Sequence, residues 1–219
     1  FCSSKVLAVT GTNGKTTTTE LLTSMLRACG LSVTLAGNNA LPFSEAILQV
    51  PQPEFMVLEL SSYQLELARS FRPWIGAVLN LREDHMERHG TMENYAAAKA
   101  RMFTNQGAGD HAVYFHDDPA CRRMGEHGMQ QKWPFSSIEK LPQGVWVDGE
   151  TIRHGEAPIA AVADVRIPGR HNLENALAAL SAARAGAFQW DRVLEGLRGF
   201  GGVEHRIEFV ENLDGIRFY

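Results

Sequence analysis

Short apolar runs that stop abruptly at polar or glycine-containing turns set the rhythm of this chain. Residues 6–9, Val-Leu-Ala-Val, run into Thr10-Gly11, and a continuous apolar run of that length suits a strand buried on both faces of a parallel sheet. Leu21, Leu22, Met25, Leu26 and Cys29 then recur at helical spacing, and Gly30 supplies the C-terminal stop. Residues 31–35, 55–60, 75–79 and 112–115 repeat the strand pattern. Residues 91–103 and 172–185 are the clearest further helices. Strands alternating with helices predict an α/β fold, a mostly parallel sheet flanked by helices. The segment at about 132–167 is different. It is rich in Pro, Gly and Trp, and Val145-Trp146-Val147 and Thr151-Ile152-Arg153 flank Asp148-Gly149. That hairpin signal predicts a small antiparallel β patch beside the main sheet. A second turn signal, Asp214-Gly215, predicts a strand over 216–219. We read 1–205 as one domain and 206–219 as a linker or the start of a further domain, so that the chain is expected to be a fragment of a longer protein.

Composition narrows the function classes. A formal net charge of −4 with no basic block argues against a nucleic-acid partner, which needs a cationic footprint. No apolar run approaches the roughly 20 residues that cross a bilayer, and the first residues lack the charged start and long apolar core of a signal peptide. Cys2, Cys29 and Cys121 are scattered without metal-ligand spacing. They read as reduced, small apolar side chains in a cytoplasmic protein.

The candidate chemistry begins between the first strand and the first helix, at Gly11-Thr12-Asn13-Gly14-Lys15-Thr16-Thr17. Glycines let a backbone wrap a phosphate, and the helix that follows offers N–H groups and the positive end of its dipole. Lys15 would reach the β and γ phosphates of a nucleotide and Thr16 would place its hydroxyl on magnesium. The usual phosphate loop has its first glycine where this chain has Val9, so the glycine spacing here is shortened. A plain glycine-rich turn with a solvated lysine is the other reading.

Ligands of open parallel sheets gather beyond the carboxyl ends of the strands. Glu59 closes the run 55–60, and a carboxylate there is costly to bury unless a cation or donors answer it. It is a candidate metal ligand or a capped carboxylate. His85 follows the run 75–79 within Asn80-Leu81-Arg82-Glu83-Asp84-His85. It could bind a metal through a neutral ring nitrogen with Asp84 or Glu83 orienting it, or simply be solvated. Lys99 borders the apolar stripe of Tyr95, Ala98 and Met102, as a snorkelling surface lysine would. Asn172 and Asn175 share a helix face. Their amides could read a base edge or serve as caps.

Together these segments resemble the Mur ligases, the ATP-dependent amide-forming enzymes of peptidoglycan assembly. Residues 10–17 are similar to that family's variant phosphate loop, including its shortened glycine spacing. Leu58-Glu59-Leu60-Ser61-Ser62-Tyr63-Gln64-Leu65-Glu66 resembles the segment characteristic of the D-glutamate-adding branch, as do residues 83–90 and 95–101. Gly169-Arg170-His171-Asn172-Leu173-Glu174-Asn175-Ala176 and Glu204-His205-Arg206 complete a match that covers essentially the whole chain.

The resemblance implies that Lys15 and the loop hold ATP, that Thr16 and Glu59 bind one Mg²⁺ and His85 a second, and that Lys99 is the lysine carbamylated by carbon dioxide. A carbamate can bind Mg²⁺, whereas an ammonium repels it. It also implies that Asn172 and Asn175 lie near the adenine, Arg206 near the phosphates, and Asn38 and His85 at the UDP-muramoyl substrate. In Gly37-Asn38-Asn39-Ala40-Leu41-Pro42 the pair Asn39-Ala40 replaces the family's Ile-Gly, while Asn38 is retained. The implied reaction joins D-glutamate to UDP-N-acetylmuramoyl-L-alanine through an acyl phosphate. The chain would be the central domain, with the uridine-binding and amino-acid-binding domains of the same enzyme as its partners. A superfamily ligase with another amino-acid acceptor, a P-loop switch or hydrolase, and a non-catalytic binding module are the alternatives.

Overall fold

A computed structural model of the chain describes residues 2–38, 41–203, 211–213 and 216–218. Nine strands form one sheet. They are β1 (Lys5–Thr10), β2 (Val33–Gly37), β3 (Phe55–Glu59), β4 (Ile75–Val78), β5 (His111–Phe115), β6 (Gln131–Ser136), β7 (Val145–Asp148), β8 (Thr151–His154) and β9 (Ala157–Ala161). Their spatial order is β2-β3-β1-β4-β5-β6-β7-β8-β9. Every pair from β2 to β7 is parallel, and only β7–β8 and β8–β9 run antiparallel.

The helices explain why the central strands can be apolar throughout. Helix α1 (Lys15–Ala28) packs with α7 (Arg170–Ala185) and α8 (Trp190–Gly199) over one face. On the other, α3 (Ser62–Leu67), α4 (Met86–His89), α5 (Met92–Ala100) and α6 (Pro119–Glu126) lie together. The four-residue α2 (Phe43–Ala46) packs on β2. β4 and β5 are buried along their whole length, as two covered faces require. Helix α8 comes so close to α1 that a Cβ on Gly196 would sit 2.5 Å from the Met25 Cα. Among the described residues no helix is long and apolar enough to cross a membrane.

Several predicted elements lie where the periodicity placed them, and the differences have local causes. The second strand starts at Val33 rather than Leu31, because the end of α1 wraps back on itself. Gly30 is left-handed (φ 77°), and the Leu31 N–H donates to the Leu26 carbonyl at 3.3 Å, which keeps Leu31 in the helix cap. The Thr91 hydroxyl caps α5 by accepting from the Asn94 N–H.

The small antiparallel patch expected at about 132–167 is present as β7, β8 and β9, but it is shorter than expected and continuous with the main sheet. β6 and β7 continue the parallel sheet, and only β8 and β9 are antiparallel to their neighbours. Pro134 lies inside β6, and a proline in a run argues against a central strand when read locally. Here the crossover helix α6 and the cover of α7 overrule it, with the Ser181 hydroxyl donating to the Trp133 carbonyl. Farther on, β10 (Glu211–Leu213) pairs antiparallel with β11 (Ile216–Phe218), although the turn residues Asp214 and Gly215 lie outside the described residues.

Candidate functional site

The carboxyl ends of β1, β3 and β4 are adjacent, because β1 lies between the other two. The loop after β1 is held in shape by its neighbours. The Thr12 N–H donates to the Asn80 carbonyl (3.0 Å). Asn13 and Asn80 exchange two bonds, Asn13 N–H to Asn80 Oδ1 at 2.9 Å and Asn80 Nδ2 to the Asn13 carbonyl at 3.0 Å. The Arg82 N–H donates to Thr12 Oγ1 at 3.0 Å. Gly14 turns the chain into α1 with φ +84°, a left-handed conformation that favours glycine. Lys15 folds its Nζ back to the carbonyls of Gly11 (3.1 Å) and Thr12 (2.9 Å). Thr16 and Thr17 stand in the first turn of the helix.

Glu59 ends β3 opposite Val9 in register and is only 3% exposed. Its Oε2 accepts from Thr16 Oγ1 at 2.8 Å, and its Oε1 faces Asn38 Nδ2 at 3.4 Å. A hydroxyl and a carboxylate side by side at a phosphate-type loop form a hard oxygen pair, the donor chemistry that suits Mg²⁺. Among the described residues no three His, Cys, Asp or Glu side chains come together as a metal cage. That too is compatible with Mg²⁺, which keeps waters and draws on phosphate oxygens.

Lys99, expected from its position to be a snorkelling surface residue if it had no special role, is 1% exposed. Its Nζ donates to the Gly11 carbonyl at 2.9 Å and Thr10 Oγ1 at 3.4 Å, and lies 4.5 Å from the Tyr95 ring centroid. Burial, with the nearby Lys15 charge adding to it, pushes its ammonium down to about 7. The linkage sign follows from a folded value below the unfolded one. The cost of charged Lys99 is full below about pH 7 and fades as pH rises toward the unfolded value of 10.5. In carbon-dioxide-free buffer, Lys99→Met is therefore expected to stabilise the protein most below pH 7. Its advantage should shrink steadily to pH 10 in denaturant melts, and a constant offset would contradict the burial argument.

His85 is left-handed (φ 55°) and precedes α4. Its Nε2 faces Asp84 (3.5 Å) and its Nδ1 faces Glu87 (3.7 Å). Asp84 thus lies where orientation of the ring requires, and Glu87 occupies the second position considered for Glu83. The ring packs edge-on to Tyr63 and Tyr95. The Tyr95 hydroxyl in turn sits 3.2 Å from Thr12 Oγ1, and burial raises the pKa of that hydroxyl.

Asn172 and Asn175 are buried in the first two turns of α7. Asn175 Nδ2 donates to Asn172 Oδ1 at 3.3 Å, and Asn172 Nδ2 to the Pro168 carbonyl at 2.7 Å. Asn175 abuts the loop, since a Cβ on Gly14 would meet its side chain. Gly14→Ala is thus expected to cost about 1–2 kcal/mol in backbone strain alone, and more because Asn175 must be displaced. Denaturant melts would detect this, and an unchanged midpoint would exclude it. Arg206 lies outside the described residues, as does the Asn39-Ala40 departure.

Sequence reasoning missed Asn80, which clasps the loop, and treated Tyr95 only as part of an apolar stripe. The signal for Asn80 was available: it follows an apolar strand run just as Glu59 ends one.

Residues 9–183 match the Mur ligase middle domain. The chain is 44% identical over 222 residues to a UDP-N-acetylmuramoylalanine–D-glutamate ligase of Pelotomaculum thermopropionicum, covering 100% of this chain and 49% of that protein. It is also 44% identical over 214 residues to the enzyme of that name from Caldanaerobacter subterraneus, covering 98% and 48%. The chain thus spans about half the length of the curated relatives it matches. Among solved structures, MurF from Acinetobacter baumannii superposes with a TM-score of 0.76 at 22% identity, over 95% of this chain and 48% of that one, which speaks for the fold alone. With the family model covering most of its length, and the same strand, loop and helix arrangement on the page, this chain belongs to the Mur ligase middle-domain family.

Proposed function

We propose that the chain is the central, ATP-binding domain of a cytoplasmic ligase that adds D-glutamate to UDP-N-acetylmuramoyl-L-alanine. On this reading residues 1–205 are that domain, and 206–219 lead toward a domain that receives the amino acid. The observation that carries the reading is the convergence of Lys15, the Thr16–Glu59 pair and Lys99 around the Gly11 loop.

Lys15, with the amides from Gly11 to Thr17, would hold the ATP phosphates, and Asn172 and Asn175 the adenine. Arg206 would assist at the phosphates. Asn38 and His85 would contact the UDP-muramoyl substrate. Thr16 and Glu59 would hold one Mg²⁺, and His85 with a carbamylated Lys99 a second. Bound there, the ions would neutralise charge on the transferred phosphoryl group. The substrate carboxylate attacks the γ-phosphorus and ADP leaves. The D-glutamate amine then attacks the acyl phosphate and phosphate leaves. Positioning and charge neutralisation are most of what such a step asks of a protein. The lowered pKa of Lys99 supports carbamylation, because the neutral amine is the form that adds carbon dioxide.

The test is ADP release by the full-length enzyme given UDP-N-acetylmuramoyl-L-alanine, Mg²⁺ and each candidate amino acid. Release with D-glutamate alone is expected. Release with another amino acid would reassign the acceptor, and release without any acceptor would favour a plain hydrolase. The isolated chain should bind ATP weakly and not ligate.

A further inference from the structure

The segment that follows β4 is held from two sides. One side clasps the phosphate-type loop, through the Asn80 bonds to Thr12 and Asn13 and the Arg82 N–H to Thr12 Oγ1. On the other side stands a single carboxylate, Asp118, which is 3% exposed. Its Oδ1 caps α6, accepting from the N–H groups of Ala120 (2.9 Å) and Cys121 (3.1 Å). Its Oδ2 accepts from the Leu81 N–H (3.1 Å) and Arg82 Nη1 (2.8 Å). A helix cap needs only the first oxygen. The second is directed at the two residues whose neighbour Asn80 fixes the loop. Charge-assisted bonds of this kind are the stronger class, so the anchor is stiff, whereas the clasp of Asn80 and the Arg82 N–H on the loop is made of neutral bonds.

We propose that Asp118 is a positioning residue for the phosphate loop: through Leu81 and Arg82 it sets where Asn80, Thr12 and Asn13 stand, and thereby the affinity for the nucleotide. This rests on the reading of Gly11 to Thr17 as the ATP loop. Asp118 touches neither substrate nor metal in this role. It also links α6 to the loop, since one side chain holds both.

Asp118→Asn in the full-length enzyme separates the two duties. Asparagine caps helices as well as aspartate, so Oδ1 can keep the cap. An amide in place of Oδ2 would meet two donors with a third. The expected result is a KM for ATP and a Kd for ADP raised about tenfold. The KM for D-glutamate should stay within about twofold, while the donor clash at this buried position should lower the thermal midpoint. Arg82→Met should give a smaller rise, because the Arg82 side chain is 63% exposed and the Leu81 bond survives. Combined with Asn80→Ala, Asp118→Asn should be clearly non-additive in ADP affinity, as expected for residues acting on one element. A parent-like ADP affinity, additive effects, or an equal rise in every KM would overturn the proposal. If the parent enzyme releases no ADP with any acceptor, the proposed ligase activity fails. The ADP affinities of the variants still judge Asp118 on their own.

Discussion

Glu59→Gln is expected to cut the turnover of the full-length enzyme by roughly 10²–10³-fold, the scale of losing one electrostatic group at a reacting centre. Glu59 is buried, and its oxygens meet the Thr16 hydroxyl and the Asn38 amide. Neither of those two partners carries a charge that would cancel that of the carboxylate. Burying a carboxylate on such terms is unfavourable unless a cation completes it. Glutamine preserves the size of the side chain and can still accept from Thr16, but it removes the charge. The loss should therefore appear as a raised Mg²⁺ requirement rather than as unfolding. In ADP-release titrations the Mg²⁺ midpoint should rise tenfold or more, while the thermal midpoint of the metal-free protein holds or increases. An unaltered Mg²⁺ midpoint would remove Glu59 from the metal site.

Lys99→Ala should be nearly inactive, down by about 10³-fold or more, and a short carboxylic acid should restore part of the activity. The wild-type amine is enclosed beside the Gly11 carbonyl and the Tyr95 ring. Truncation to alanine leaves a space that a small carboxylate can fill in place of the carbamate. On the proposed reading such a deletion removes a group that would act on the transferred phosphoryl through the metal, so kcat should fall more than the affinity for ATP changes. Rescue by acetate or formate, with no rescue by a neutral amide of the same size, would support a negatively charged Lys99. A variant that keeps wild-type kcat, or one rescued equally by the amide, would refute it. Labelled bicarbonate offers a second readout, because a carbamate carbon signal present in the parent should vanish in the variant.

Both predictions depend on side chains whose surroundings had unequal signatures in the chain itself. Glu59 was legible because an acidic residue closing an apolar run is anomalous within five residues of sequence. Lys99 was not. On the helix pattern alone it borders an apolar stripe as any long basic side chain can. Its burial arises because α5 is pressed between α3, α4 and α6, and because the Gly11 carbonyl, 88 residues away in the chain, reaches it. Asp118 carried no reading from the chain pattern, and its second oxygen became meaningful only once Leu81 and Arg82 were placed against it.

The alternation of strand and helix, the glycine turn that opens α1, the glycine stop after it and the hairpin between β7 and β8 are legible in the chain alone. These features rest on interactions within a few residues: side-chain periodicity, left-handed glycine and proline's missing donor. The tertiary structure alone decided which strands are neighbours, and so which strand ends meet. The order β3-β1-β4 puts Glu59 and Asn80 on opposite sides of Gly11, and the packing of α7 on α1 brings Asn175 against Gly14. It also decided that β6 and β7 extend the parallel sheet, against the local reading of Pro134. The physical reason is common to all of these. Strand order and helix docking are settled by burial of apolar faces between segments far apart in the chain, and no pattern within any one segment records which partner will cover it.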